Sequence, residues 1–114
     1  MKDLFGFNGE KVVVTGATSG MGQATTRLLV DLGAEVFAPD VKEVTAPVKK
    51  YIQTDLMSEQ SIDAAVGQLP DVVDSMFSCA VLPGAPYSNV QVTMVNFVGH
   101  RHLFNSMLPR MPEA

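Results

Sequence analysis

The sequence predicts an α/β domain, a parallel sheet with helices on its faces. Three observations carry that expectation. Short apolar runs alternate with segments of helical periodicity in the order strand, helix, strand, strand, helix, strand, helix. The runs are mostly continuous in apolar residues, as strands covered on both faces are. At 114 residues, with 46% apolar and 18% charged, the chain has the composition of one ordinary globular domain large enough to bury a core.

Lys11–Thr15 (KVVVT) reads as a buried strand, β-branched and ended by Gly16. From Gly20 the pattern turns helical. Met21, Ala24 or Thr25, Leu28 and Leu32 fall on one face, and Gly33 stands where a C-cap belongs. Residues 35–38 (EVFA) form a second strand, stopped by Pro39 and followed by Asp40. The next ten residues, broken by Pro47, read as a loop leading to a short third strand at 51–53. Ser58 N-caps a helix through Gly67, with Glu59 in its first turn favouring the dipole. Residues 72–80 (VVDSMFSCA) read as a fourth strand, and a long helix runs from about 89 to 108, where Pro109 ends it.

Charge and composition narrow the partners. A net charge of −4 argues against a nucleic-acid surface, which needs clustered Lys and Arg. No apolar run approaches the length of a membrane span, and MKDLFGFNGEK lacks the apolar core of a signal peptide. One cysteine forms no internal disulfide, which suits the reducing cytoplasm. The expected partner is a small molecule or another protein.

The stretch VVVTGATSGMG, residues 12–22, is where chemistry concentrates. Between strand and helix, Gly16 allows a sharp turn, Gly20 lets a ligand approach bare backbone, and Gly22 lets the helix pack tightly on the strand. The helix N-terminus beyond them suits a pyrophosphate, and Thr15, Thr18 and Ser19 add hydroxyls there. Asp40, 20 residues after Gly20, ends the next strand where a ribose 2′-hydroxyl would lie. The bland alternatives are a tight turn with no ligand and a solvated turn aspartate.

TGATSGMG resembles the T-G-x-x-x-G-x-G signature of the short-chain dehydrogenase/reductase family, and the resemblance runs along nearly the whole chain. Thr54–Leu56 resembles the family's Asp-plus-apolar pair beside the adenine. VDSMFSCAV resembles its fourth strand, and VNFVG (residues 95–99) its long-helix motif with a catalytic asparagine. The missing helix between strands two and three and the Cys-Ala after strand four are similar to a compact branch containing 3α-hydroxysteroid dehydrogenase and carbonyl reductase. The resemblance implies a Rossmann-type sheet of order 3-2-1-4. It implies cofactor contacts from Gly16, Thr18, Ser19, Gly20, Met21, Gly22, Asp40, Asp55, Leu56, Cys79, Ala80 and Val81. It also gives Asn96 a place in the catalytic set, bending the long helix and ordering a water in a proton relay. Asp55 has a second reading, as a cap for the helix near Ser58.

Asp40 favours NAD over NADP. A carboxylate about 4 Å from a 2′-phosphate charge meets on the order of 4 kcal/mol of repulsion per charge at an effective dielectric near 20. Lys42, two residues on, is the one basic counterweight.

Departures from the family pattern matter as much. Where it has Asn-Asn-Ala-Gly, this chain reads Ser78-Cys79-Ala80-Val81, so a valine replaces a glycine that lets backbone approach the cofactor, with Gly84 as a partial compensation. The family's catalytic Ser and Tyr-x-x-x-Lys have no counterpart: Tyr51 is followed four residues on by Asp55, and Tyr87 by Gln91. The expectation is one dinucleotide-binding domain over residues 1–114, truncated before the catalytic segment and inactive alone. Its parent would be an NAD-dependent oxidoreductase of secondary alcohols or ketones.

The alternative is a non-catalytic dinucleotide-binding or scaffolding module. Cys79 reads as a packed thiol. His100 and His102, two apart on a helix, point to different faces and form no metal pair, so no metal site is expected. On the long helix Val92, Val95, Gly99 and Leu103 make one apolar stripe, and Met94, Phe97, Phe104 and Leu108 another. The second stripe would meet a partner chain, as in a homo-oligomer, or the next helix of a missing half.

Overall fold

A computed structural model describes residues 5–18, 20–82 and 85–112. Ser19 and Gly84, both singled out above, lie outside the described residues. Four parallel strands form one sheet of order β3-β2-β1-β4: β1 (Lys11–Thr15), β2 (Glu35–Asp40), β3 (Lys50–Gln53) and β4 (Ser75–Ser78). The expected architecture and strand order are the observed ones.

Central β1 shows why the valines run on without a break. Val13 packs with Phe37, Ile52 and Ile62 on one face of the sheet, while Val12 and Val14 pack with Leu29, Val36 and Ala38 on the other. All three are fully buried. At about 1.5–3 kcal/mol for each apolar side chain taken out of water, this strand anchors both layers.

Three strand boundaries differ from expectation. β2 does not stop at Pro39 but continues through Asp40, with Pro39 paired to Ile52. The reason lies in the alternation of the ladder. The Glu35 N–H bonds toward β1, at Glu10, whereas the Val36 and Asp40 carbonyls accept from Lys49 and Thr54 on the β3 side. The missing N–H of Pro39 therefore faces β1 beyond the last registered pair, Val13↔Phe37, where no ladder bond is lost. β3 starts one residue earlier than expected, at Lys50. β4 keeps four residues of the expected nine. Its start is set by Asp74, which exchanges hydrogen bonds with Lys11, and Val72 before it is exposed.

Helix α1 (Gly20–Asp31) buries Gly22, Thr26 and Leu29, so the expected face is wrong by about one position. Met21 and Leu28 are 80% and 59% exposed. The glycine sets the rotation: Gly22 rests on the Gly16 carbonyl, where a Cβ would collide. Thr26 is tolerated inside because its hydroxyl donates to the Gly22 carbonyl at 2.7 Å. The helix ends as expected in a left-handed Gly33 (φ 88°), with the Ala34 N–H bonded to Leu29 O and the Gly33 N–H to Val30 O. No helix joins β2 to β3; Val44 and Ala46 of that loop cover the α1 side of the sheet instead.

The opposite face is covered by α2 (Glu59–Val66), N-capped by Ser58, and by a long helical rod. The rod comprises α3 (Asn89–Thr93), a π-helical segment (Met94–Gly99), α4 (His100–Met107) and a 3₁₀ turn (Leu108–Arg110) that contains Pro109. A capping box between Ser88 and Gln91 starts it. Val95, Gly99 and Leu103 of the expected inner stripe are buried, with Met107 beneath them, while Phe97, Phe104 and Leu108 of the outer stripe are exposed.

Candidate functional site

Parallel sheets bind ligands outside the carboxyl ends of their strands, where the connections part to opposite sides. Here that point lies between β1 and β4. Gly16 leaves β1 with φ 73°, so tightly set against the Ala80 backbone that any Cβ would overlap it. Gly20 differs. It also has positive φ (56°), yet a Cβ there would meet nothing within 4 Å. Packing does not require this glycine, so the bare backbone opens onto free space at the first turn of α1. That turn has no acidic residue to compete for its unpaired N–H groups. This is a cradle that fits a pyrophosphate. Thr18 and Met21 flank it, and Met21 points outward.

Asp40 closes one side. It is 8% exposed and thus no solvated turn residue. One carboxylate oxygen accepts from the Thr18 hydroxyl at 3.3 Å, and the other from the Lys42 backbone N–H at 3.0 Å. Lys42 thus meets the carboxylate through its main chain. Tyr51 on β3 has its phenol pushed above the usual value by burial first, then by the Asp40 and Glu43 carboxylates.

At the end of β3, Asp55 takes the Met57 N–H on one oxygen (2.9 Å), while Ser58 is the residue that caps α2 by accepting from the Ser61 N–H. The capping alternative for Asp55 therefore reduces to a local turn. Leu56 sits in the core with Ile62 and Val95. Its carbonyl lies under Gly99, where a Cβ would strike it.

Beyond β4, Cys79 is half-buried against the α1-side core and Ala80 against the other face. Val81 is 68% exposed, so the valine in the glycine's place turns to solvent. Asn96 lies inside the π segment. Its side-chain oxygen accepts from the Leu82 N–H (2.7 Å) and its amide donates to the Leu82 carbonyl (3.1 Å). Both ends of the side chain thus pair with the loop after β4, as a neighbouring strand would.

His100, set aside at the sequence level as half of a metal pair that does not form, has a partner no motif spacing reveals. Its Nε2 lies 2.8 Å from the hydroxyl of Thr15, 85 residues away. Burial pushes the imidazole below its ordinary value, and the Val95 carbonyl bonded to the ring opposes this only in part. His102 faces elsewhere. It meets Asp63 of α2 at 2.7 Å, with Glu59 beside it, in an exposed cluster on the outer surface. Among the described residues no helix is long and apolar enough to cross a membrane.

The fold and this site define a Rossmann-like α/β domain, and comparison with known proteins narrows the class. The model of the family described as short chain dehydrogenase matches residues 10–114, and the chain belongs to that family. It is 34% identical over 102 residues to the coniferyl-alcohol dehydrogenase of Pseudomonas sp. (strain HR199 / DSM 7063), covering 90% of this chain and 40% of that protein. It is 32% identical over 108 residues to the 2,5-dichloro-2,5-cyclohexadiene-1,4-diol dehydrogenase of Sphingobium indicum, covering 85% and 42%.

Two solved structures share the fold. The aldohexose dehydrogenase of Thermoplasma acidophilum, in ligand-free form, superposes with a TM-score of 0.82 at 18% identity, over 92% of this chain and 45% of that one. A short chain dehydrogenase/reductase from Burkholderia phymatum in complex with NAD superposes with a TM-score of 0.75 at 25% identity, over 95% and 46%. The chain spans less than half the length of each of these relatives.

Proposed function

We propose that this chain is the dinucleotide-binding half of an NAD-dependent oxidoreductase that moves a hydride between nicotinamide and a secondary alcohol or ketone. The observation that carries the reading is Asp40, a buried carboxylate fixed by Thr18 and Lys42 beside the open turn at Gly20. A carboxylate held there accepts hydrogen bonds from a ribose diol and repels a 2′-phosphate. This favours NAD. The nicotinamide, when bound, supplies or takes the hydride. The residues of this chain bind and orient: the first turn of α1 receives the pyrophosphate, Asp40 the adenosine ribose, and Asp55 with the Leu56 backbone the adenine edge. Ala80 and Val81 line the nicotinamide side, and Asn96 holds their loop in place.

The alcohol substrate is supported by the names of the two relatives, both dehydrogenases of alcohols or diols. Residues 1–114 form one domain in this reading. The resemblance places the family's catalytic Ser and Tyr-x-x-x-Lys after the long helix, outside these residues. The exposed Phe97, Phe104 and Leu108 favour a homo-oligomer through the long helix, and the single cysteine favours the cytoplasm. The test is a fluorescence titration with NADH and NADPH in parallel. Saturable binding with NADH clearly tighter is expected. A folded chain that binds neither contradicts the dinucleotide reading, and equal affinities contradict the role of Asp40.

A further inference from the structure

We propose that His100 is a positioning residue for the dinucleotide site: a neutral imidazole whose Nε2 accepts the Thr15 hydroxyl proton, so that Thr15 holds the residues after β4 against the glycine-rich turn. The inference rests on the reading of that turn as a dinucleotide site.

The Thr15 oxygen is the hub. Two backbone donors point at it, the Ala80 N–H from 3.3 Å and the Cys79 N–H from 3.2 Å, which Cys79 shares with the Thr15 carbonyl at 3.1 Å. A hydroxyl has two acceptor positions and one proton. With both positions taken, its proton needs an acceptor of its own, and His100 Nε2 at 2.8 Å is that acceptor. Nε2 is therefore bare and the ring proton sits on Nδ1. Every bond in the chain then has one direction, from the Cys79 and Ala80 amides to Thr15 and from Thr15 to His100. The bonds join β1, the residues after β4 and α4 at one point. Gly16, next to Thr15, already touches the Ala80 backbone, so any movement of this point moves the turn that would receive the pyrophosphate.

Protonation reverses one of these bonds. An imidazolium carries a proton on both nitrogens. Nε2 would become a third donor aimed at an oxygen with two, and the Thr15 proton would lose its acceptor. Thr15 is fully buried, so water does not replace it. Burial lowers the imidazole's pKa and the Val95 carbonyl opposes this in part. Of the groups bonded into this point, Cys79 is the one other that titrates; on its own helix Arg101 is exposed and His102 turns to Asp63. Because burial holds His100 below its ordinary 6.5, the folded chain binds fewer protons there than the unfolded chain. The stability this contributes is present above that pH and lost as the pH falls below it.

Nitrogen-15 NMR of the imidazole at neutral pH tests the geometry without a variant: a protonated Nδ1 and a bare Nε2 are expected, and a proton on Nε2 overturns the proposal. NADH affinity and Tm are then followed from about pH 8 to about pH 5. The wild type is expected to lose roughly tenfold in affinity and to fall in Tm as His100 protonates. His100→Gln keeps an acceptor for Thr15 without titrating, so both of its profiles should be flatter; an acid loss equal to the wild type's overturns the proposal. His100→Val should bind roughly tenfold more weakly at every pH, and wild-type affinity in that variant overturns it too. If NADH binds at no pH, the dinucleotide reading fails by itself, while the tautomer and the Tm profiles still decide whether His100 holds Thr15.

Discussion

The two halves of the site are built differently. The half at the ends of β1 and β2 is set by the backbone: Gly16, Gly20 and Gly22 lie within seven residues, and Asp40 takes the Lys42 N–H and, across 22 residues, the Thr18 hydroxyl. The half at the end of β4 is held by side chains, by Asn96 on Leu82 across 14 residues and by His100 on Thr15 across 85. The first half takes its shape from backbone conformations that only glycine adopts without cost. The second is shaped by side chains that substitute for missing backbone partners. Changes to the first should therefore disturb folding or ligand approach, one or the other, according to what each glycine touches. Changes to Asn96 should loosen the β4 end and leave the glycine turn intact, whereas changes to His100 should reach that turn through Thr15.

The largest effect is expected at Gly22→Val. Its side chain would collide with the Gly16 carbonyl, which is backbone and does not yield. A loss of about 3 kcal/mol or more is expected in urea denaturation, at or beyond the upper end of ordinary overpacking. Gly20→Ala is the contrasting change. It meets no neighbour but forces an alanine to positive φ, at about 1–2 kcal/mol. Its larger effect should be on NADH affinity, because the new methyl occupies the space opened for the ligand. If Gly20→Ala destabilises as much as Gly22→Val, the division of labour between the two glycines is wrong.

In the distal half, Asn96→Ala removes both bonds to Leu82 and should cost about 1–2 kcal/mol. Amide exchange at Leu82 should accelerate while exchange at Gly16 and Gly22 is unchanged. The smallest effect is reserved for the outer surface. His102→Ala breaks an exposed pair with Asp63 and should shift stability by less than about 1 kcal/mol, with no change in NADH affinity.

The same contrast explains what the sequence made legible. The caps at Ser58 and Gly33 and the sharp turn at Gly16 follow from local rules and were readable, while the strand order came with the family resemblance. The face of α1 was misjudged because hydrophobic periodicity weighed Met21 and Leu28, whereas the contact of Gly22 with Gly16 sets the rotation and leaves both exposed. Pro39 was read as a strand end because proline lacks a donor; only the pairing pattern shows that its N faces the side where none is needed. Leu56 was placed beside a ligand by its motif, but its side chain belongs to the core. His100 had no readable signal, since its partner is defined by the fold and not by spacing.

The most direct test of the central claim is a pair of amide ¹H–¹⁵N NMR spectra of the chain, without and with NAD. If the turn and Asp40 form a dinucleotide site, the amides of Gly16, Gly20, Gly22, Asp40 and Val81 shift on addition of NAD, while those of Glu59, Asp63 and His102 on the outer surface stay in place. Shifts confined to the outer surface, or none in a folded chain at saturating NAD, would contradict the account.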